Sequence, residues 1–333
     1  MQPGRARLSR ALSPADVGAR VMVRRALDDG GYGDVVGRLL RWRDGWLVIR
    51  TRTGAEVEVA ESAVLAGKRV PPAPPRRISA ERLQEIAGRG WRPVEQAWLG
   101  RWWLRAAGGF TRRANAVLAL GDPGMPLDEA LPRVRRWYDE RELLARAMVV
   151  TGSPVDHALE KRGWPAEASR GHPDVLVSTA PLGPTLDALL DRPVSGEPVR
   201  LDPEPDDAWL ALFRASHPSA VLPPVARHVV GHPDARFARV ERDGEVVAIG
   251  RSVVVEGWAG LSAVEVRADA RHGGLARSVM AALLREAGQR GSRDVYLQVA
   301  AANATARALY ERLGFTTHHA YRYRGVPPPD AAS

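Results

Sequence analysis

Residues 271–284 read RHGGLARSVMAALL, an arginine and two glycines set directly in front of an amphipathic run. The preceding stretch, WAGLSAVEVRA (258–268), alternates like a strand. LARSVMAALLREAGQR (275–290) places Ala276, Val279, Met280, Leu283, Leu284 and Ala287 at helical spacing. Arg271, Gly273 and Gly274 therefore occupy a strand-to-helix turn. Glycine's freedom lets backbone N–H groups there converge on an anion at the positive end of the helix dipole, so the turn suits a phosphate. On these residues alone a plain glycine turn would look the same. No Gly-Lys-Ser/Thr follows, as a P-loop requires, and the G-x-G-x-x-G of a dinucleotide fingerprint is absent.

The continuation narrows the reading. DVYLQVAAANATARALYERLGF (294–315) is a strand followed by a helix whose Asn303, Ala306, Tyr310 and Leu313 share one stripe, closed by Gly314 and Phe315. Arg-x-x-Gly-x-Ala at 271–276, Leu-x-Val at 297–299 and Asn-x-x-Ala-x-x-Leu-Tyr-x-x-x-Gly-Phe at 303–315 together resemble the GNAT superfamily of acetyl-CoA-dependent N-acetyltransferases in order, spacing and residue type. The resemblance covers residues 200–324. It includes the helix DDAWLALFRASH (206–217) and the hairpin FARVERDGEVVAIGRSVVV (237–255) turning at Asp243-Gly244.

The resemblance implies a site. The strands at Val266 and Leu297 would splay, and pantetheine would lie between them like an added strand. The turn Arg271, His272, Gly273, Gly274, Leu275, Ala276 and Arg277 would hold the pyrophosphate through its amides, and Asn303 the pantetheine arm. An amine would attack the thioester directly, with Tyr310 protonating the leaving thiolate. Tyr310 as a packed core residue and Asn303 as a helix N-cap are the structural alternatives. Members that acetylate protein N-termini often carry Glu inside Leu-x-Val. This chain has Gln298, an amide that cannot act as a base. Glu265, acting through water, is the preferred base; Asp269, His318 and His319 are the others, and an amine that needs no base is also open.

Upstream, residues 91–181 run strand, helix, strand, helix, and ALEKRGW (158–164) echoes LYERLGF (309–315). The expectation is a tandem, diverged copy of the same fold, as in some actinobacterial acetyltransferases. Setting Gly163-Trp164 against Gly314-Phe315 puts Leu159 at the position of Tyr310, so this copy lacks the acid. In GFTRRANAV (109–117), Arg112 and Arg113 bind an acidic substrate or a CoA phosphate, or are surface arginines.

Residues 16–66 alternate in short strands broken by DDGGYG, RDG and TG, which suggests a small closed barrel. Its Tyr32, Trp42 and Trp46 could line a peptide groove or fill its core. VPPAPPRR (70–77) is a stiff linker, and LDRPVSGEPVRLDPEPDD (190–207) a second break. The arrangement resembles an actinobacterial GNAT subfamily with an N-terminal SH3-like domain. The expected fold is thus mixed α+β: an SH3-like barrel (14–69), a linker (70–78), a degenerate GNAT-like domain (79–190) and a catalytic GNAT domain (191–325).

The net charge of +9 is spread as arginines among acids, and lysine occurs only at 68 and 161, so nucleic acid is not the expected partner. Zero cysteines exclude thiol chemistry and Cys-ligated zinc, and no metal is expected. No apolar run approaches a membrane span, and residues 1–18 lack a signal-peptide core, so a cytoplasmic protein is expected. The function expected is transfer of acetyl from acetyl-CoA, as co-substrate, to a primary amine of a small molecule, amino acids included. The alternative is a non-catalytic acetyl-CoA sensor whose barrel binds a peptide or nucleic acid.

Overall fold

The computed structural model of the chain describes residues 12–70, 76–168, 172–192, 195–215 and 223–325. Most of the proline-rich linker, residues 71–75, lies outside them, as do residues 193–194 of the second break.

Five antiparallel strands come first: β1 (Arg20–Ala26), β2 (Tyr32–Arg43), β3 (Trp46–Thr51), β4 (Glu56–Ala60) and β5 (Val64–Arg69), in the spatial order β4-β3-β2-β1-β5. Their alternation buries one face, with Val21, Val23, Leu39, Leu47 and Ile49 as its core. β4 and β5 end the sheet and do not pair with each other, so the expected closed barrel is an open sheet. Alternation specifies a buried face; it does not specify that two edges meet, and here a short turn at Glu61–Ala63 carries the chain from one edge to the other. Trp42 packs against this core and donates to Glu61 Oε2 at 3.1 Å, whereas Tyr32 and Trp46 are exposed.

The rest of the chain builds one eleven-stranded sheet. After α1 (Ala80–Arg89) come β6 (Glu95–Leu99), β7 (Trp102–Ala106), β8 (Val117–Leu118), α2 (Leu127–Asp139), β9 (Arg146–Val150), α3 (Pro154–Glu160) and β10 (Asp174–Pro181). Then follow α4 (Leu182–Leu190), β11 (Arg200–Asp202), α5 (Asp207–Ala215) and α6 (Ala226–Val230). The same order returns in β12 (Ala235–Arg242), β13 (Glu245–Val255), β14 (Trp258–Val266), α7 (Leu275–Gln289), β15 (Asp294–Ala300), α8 (Ala304–Arg312) and β16 (Thr316–Gly325). β8 pairs parallel to β9 across α2, as β14 pairs parallel to β15 across α7.

The copies also match at the hydrogen-bond level. Trp164 N–H donates to Leu159 O and Gly163 N–H to Glu160 O; Phe315 N–H donates to Tyr310 O and Gly314 N–H to Glu311 O. Both glycines take the left-handed conformation that ends a helix, with φ of 71° and 87°. The final strands are exchanged. The order is β11-β12-β13-β14-β15-β10-β16-β9-β8-β7-β6, so β10 pairs with β15 and β16 pairs with β9. Arg324 on β16 crosses to Asp156 on α3 at 2.5 Å, a fully buried ion pair between the two copies.

Alternation sorts the sheet's two faces. Leu176, Leu297 and Val299 point to the face covered by α4 and α7, while Val175, Val177, Tyr296, Tyr321 and Tyr323 point to the face covered by α1. The N-terminal sheet docks behind α7: a Cβ on Gly288 would lie 3.2 Å from Arg52 O, and Arg50 reaches Asp187 on α4 at 3.5 Å.

Candidate active site

β14 and β15 pair only from Trp258↔Asp294 to Leu261↔Leu297. Just beyond, the β13–β14 register shifts and Ala263 adopts φ +52°, a bulge that turns β14 away from its neighbour. Opposite the bulge stands Gly250, where a Cβ would lie 2.4 Å from Val279, so the glycine lets α7 press onto β13. The divergence opens a cleft of about 980 Å³ whose walls include Gly260–Glu265 of β14 and Tyr296–Ala300 of β15.

The predicted residues fall at this opening or next to it. Asn303, Ala306 and Tyr310 of α8 line it. Asn303 caps α8 by accepting from Ala306 N–H at 3.1 Å, which leaves its amide donor for a ligand. Tyr310 lies edge-on to Phe315 with ring centroids 5.8 Å apart. Its phenol titrates above the ordinary tyrosine value, first because it is buried and second because Glu265 is near. A phenol so placed stays protonated at working pH, as a proton donor must. Glu265 itself lines the cleft. Of the other candidate bases, Asp269 is tied at 2.7 Å to Arg267, which with a hydrogen bond holds its carboxyl below the usual range. His318 and His319 bond each other at 2.8 Å, and His318 meets Ile78 O at 3.0 Å. None of these three lines the cleft.

Val266 and the turn from Arg271 to Arg277 lie past the cleft's lining, where β14 ends and α7 begins. His272 and Gly274 take positive φ, 69° and 81°, and Gly274 is the N-cap of α7. Between Ala270, whose amide bonds Arg267 O, and Arg277, whose amide bonds Gly274 O, no amide has a backbone partner among the described residues. A row of unused donors at the positive end of a fifteen-residue helix is the arrangement an anion needs. Arg271 and His272 are exposed beside it, and Arg271 Nε reaches Val266 O at 3.4 Å.

The opposite wall comes from the upstream copy and from β16. Trp91 and the loop 108–113, with Arg112 and Arg113, face the cleft together with Tyr321 and Tyr323. Arg113 Nε donates to Tyr321 Oη at 3.3 Å, and Tyr321 Oη donates to Gln298 Oε1 at 3.2 Å. Gln298 therefore accepts a hydrogen bond where a carboxylate base would stand. Trp91, Arg251 and the two tyrosines escape the sequence reading. The alternation in YRYRG shows that Tyr321 and Tyr323 share a face, but the cleft reaches them only because β16 sits between β9 and β10.

The upstream copy differs at the matching positions. Leu159, at the position of Tyr310, is fully buried, and α2 opens with Asp128 and Glu129 in its first turn.

Against known proteins, the family described as "Probable histone acetyltransferase Rv0428c C-terminal" matches residues 79–324. The "Probable histone acetyltransferase Rv0428c" of Mycobacterium tuberculosis is 30% identical over 326 residues, covering 92% of this chain and 94% of that protein. The "Uncharacterized N-acetyltransferase YobR" of Bacillus subtilis is 25% identical over 248 residues, covering 73% of this chain and 97% of that one. A solved GCN5-related N-acetyltransferase from Kribbella flavida superposes with a TM-score of 0.55 at 17% identity, over 76% of this chain and 95% of its own, a likeness of fold. The repeated topology, the opening between β14 and β15 and these matches converge: the chain belongs to the Rv0428c C-terminal family and is a GNAT-type N-acetyltransferase.

Proposed function

We propose that the chain transfers acetyl from acetyl-CoA to a primary amine of a small molecule, amino acids included. The observation that carries this reading is the opening between β14 and β15, with Tyr310 and Glu265 on its walls and the unused amides of the 271–277 turn at its end. The chain's residues suit the co-substrate: the turn offers donors to a pyrophosphate, the unpaired edges past Leu261 and Leu297 offer main-chain groups to pantetheine, and Asn303 offers its amide. In the reaction the amine nitrogen attacks the thioester carbonyl and the C–S bond breaks. The thiolate takes the Tyr310 proton, and the proton lost from nitrogen passes through water to Glu265. Gln298 gives no base, which supports an acceptor other than a protein N-terminus.

In the same reading residues 14–69 form an SH3-like module, 79–190 a copy without chemistry and 191–325 the catalytic copy, in a cytoplasmic protein. Among the described residues no helix is long and apolar enough to cross a membrane. The test is release of free CoA from acetyl-CoA by purified protein over a panel of amines. Because the name of the M. tuberculosis relative points to histones, the panel includes a lysine-rich peptide. Release with the peptide and with no small amine overturns the proposed acceptor class.

A further inference from the structure

Cations dominate the cleft's wall. Among its described lining residues Arg112, Arg113, Arg214 and Arg251 carry positive charge, and Glu265 is the single carboxylate. Arg112 has a remote partner in Glu167 at 4.0 Å and lies over the Tyr323 ring at 4.8 Å. Arg251 is fully buried and spends its donors on neutral acceptors: Val230 O at 2.7 Å, Gly90 O at 2.6 Å and Ser262 Oγ at 3.4 Å. Arg113 gives Nε to Tyr321, and its two terminal nitrogens have no protein partner among the described residues.

These two guanidinium groups share one aromatic neighbour. Arg113 lies 5.2 Å and Arg251 4.9 Å from the centroid of the same Trp91 ring. Burial, reinforced by the charge of Arg113, pulls the Arg251 guanidinium down to about 10, so both remain charged at neutral pH. Cations in one cleft wall with no carboxylate partner among the described residues cost stability, and perturbed charged groups of this kind gather at ligand-binding clefts.

We infer that the acceptor amine bears an anionic group, a carboxylate in the simplest case, and that Arg113 binds it from the α1 face of the sheet. This rests on the acetyltransferase reading and names the acceptor class within it. Tyr310 and Asn303 approach the opening from α8, whereas Arg113, Tyr321 and Trp91 approach it from the other face. The acetyl donor and the acceptor thus enter from opposite sides and meet where β14 and β15 part. The two free nitrogens of Arg113 form the planar fork that matches a carboxylate, and Tyr321, already its partner, fixes the fork's angle. A cationic acceptor would meet the arginines as like charges.

The experiment pairs glycine, L-alanine and L-phenylalanine each with its carboxamide, which keeps the amine and removes the charge. The carboxamide's amine is the less basic and more often neutral, so intrinsic reactivity runs against the inference. Wild-type kcat/KM should favour the acid by about tenfold or more, and R113Q should lower kcat/KM for the acids by roughly ten- to a hundredfold, through KM, and for the carboxamides by far less. An equal loss for acid and carboxamide would make Arg113 merely structural. Weaker acetyl-CoA binding in R113Q would assign the anion to a cofactor phosphate, and faster turnover of a lysine-rich peptide would also overturn the inference. Calorimetry of the amino acids against CoA-saturated protein needs no turnover. Binding that R113Q abolishes, with no CoA released by any amine, removes the acetyltransfer reading and keeps the anion site; absence of binding removes the anion site.

Discussion

Tyr310→Phe isolates the step on which the chemistry depends. The hydroxyl has no protein hydrogen-bond partner among the described residues, and the ring packs edge-on to Phe315, so the substitution strands no buried group and keeps the packing. Its effect on stability should stay within ~0.5 kcal/mol. Its effect on chemistry should be far larger. Burial and Glu265 hold the phenol above its ordinary value of 10, so the group is fully protonated at neutral pH and ready to donate. General-acid assistance is worth about a hundredfold or more, and a hundredfold is roughly 2.7 kcal/mol of barrier. Single-turnover CoA release removes any masking by product departure, and calorimetry should show unchanged acetyl-CoA affinity. The pH profile adds a sign. An acid acts while protonated, so its raised pKa moves the alkaline fall in rate above pH 10, and the wild type should show no fall from this group below that point. Retention of the wild-type single-turnover rate in the Phe variant would refute the acid role and leave Tyr310 a packing residue.

Gly274→Glu puts a carboxylate among the unused amides of the α7 turn and should abolish CoA binding by calorimetry; retained affinity with a native melting curve removes the pyrophosphate assignment. The intact chain should bind one equivalent of CoA, because Leu159 and the acidic start of α2 equip the upstream copy for none; a second site surviving in Gly274→Glu would show otherwise. Asp156→Ala removes the buried partner of Arg324 and leaves it the exposed Glu160 carboxylate at 3.3 Å, so it should cost about 3 kcal/mol in denaturant unfolding, and a loss under 1 kcal/mol would contradict the interlock. Burial, then His318, depresses His319 to about 4, so the unfolded chain binds the extra proton and stability should fall as pH drops from ~6.5 toward 4. The full loss is on the order of 3 kcal/mol, and His319→Asn should flatten that part of the profile of melting temperature against pH.

The motif-bearing elements were legible because local rules suffice for them. The strand at 258–266, the helix at 275–289 and the helix at 304–312 fall within a residue or two of where alternation, helical spacing and the Asn303 cap place them. The equivalence of Leu159 with Tyr310 followed from two Gly-aromatic helix ends, and the matching hydrogen bonds share that local origin. Closure of the N-terminal sheet was not legible, since a pattern of period two fixes which face is buried and leaves the meeting of β4 with β5 to tertiary geometry.

The exchange of β10 and β16 was hidden for a deeper reason. Each strand keeps its alternation whichever copy it joins, so nothing in TTHHAYRYRG distinguishes a place beside β15 from one beside β9. That exchange decides what the cleft can bind. Seated between β9 and β10, β16 brings Tyr321 within reach of both Gln298 and the Arg113 loop, and so joins the opening of one copy to the cations of the other. The upstream copy, with Leu159 at the position of Tyr310 and acids at the start of α2, thereby supplies part of the cleft's wall. A duplicated fold that shared no strands could lose its upstream half with little effect on the site. Here that half holds Arg113, the residue on which the anionic-acceptor inference turns.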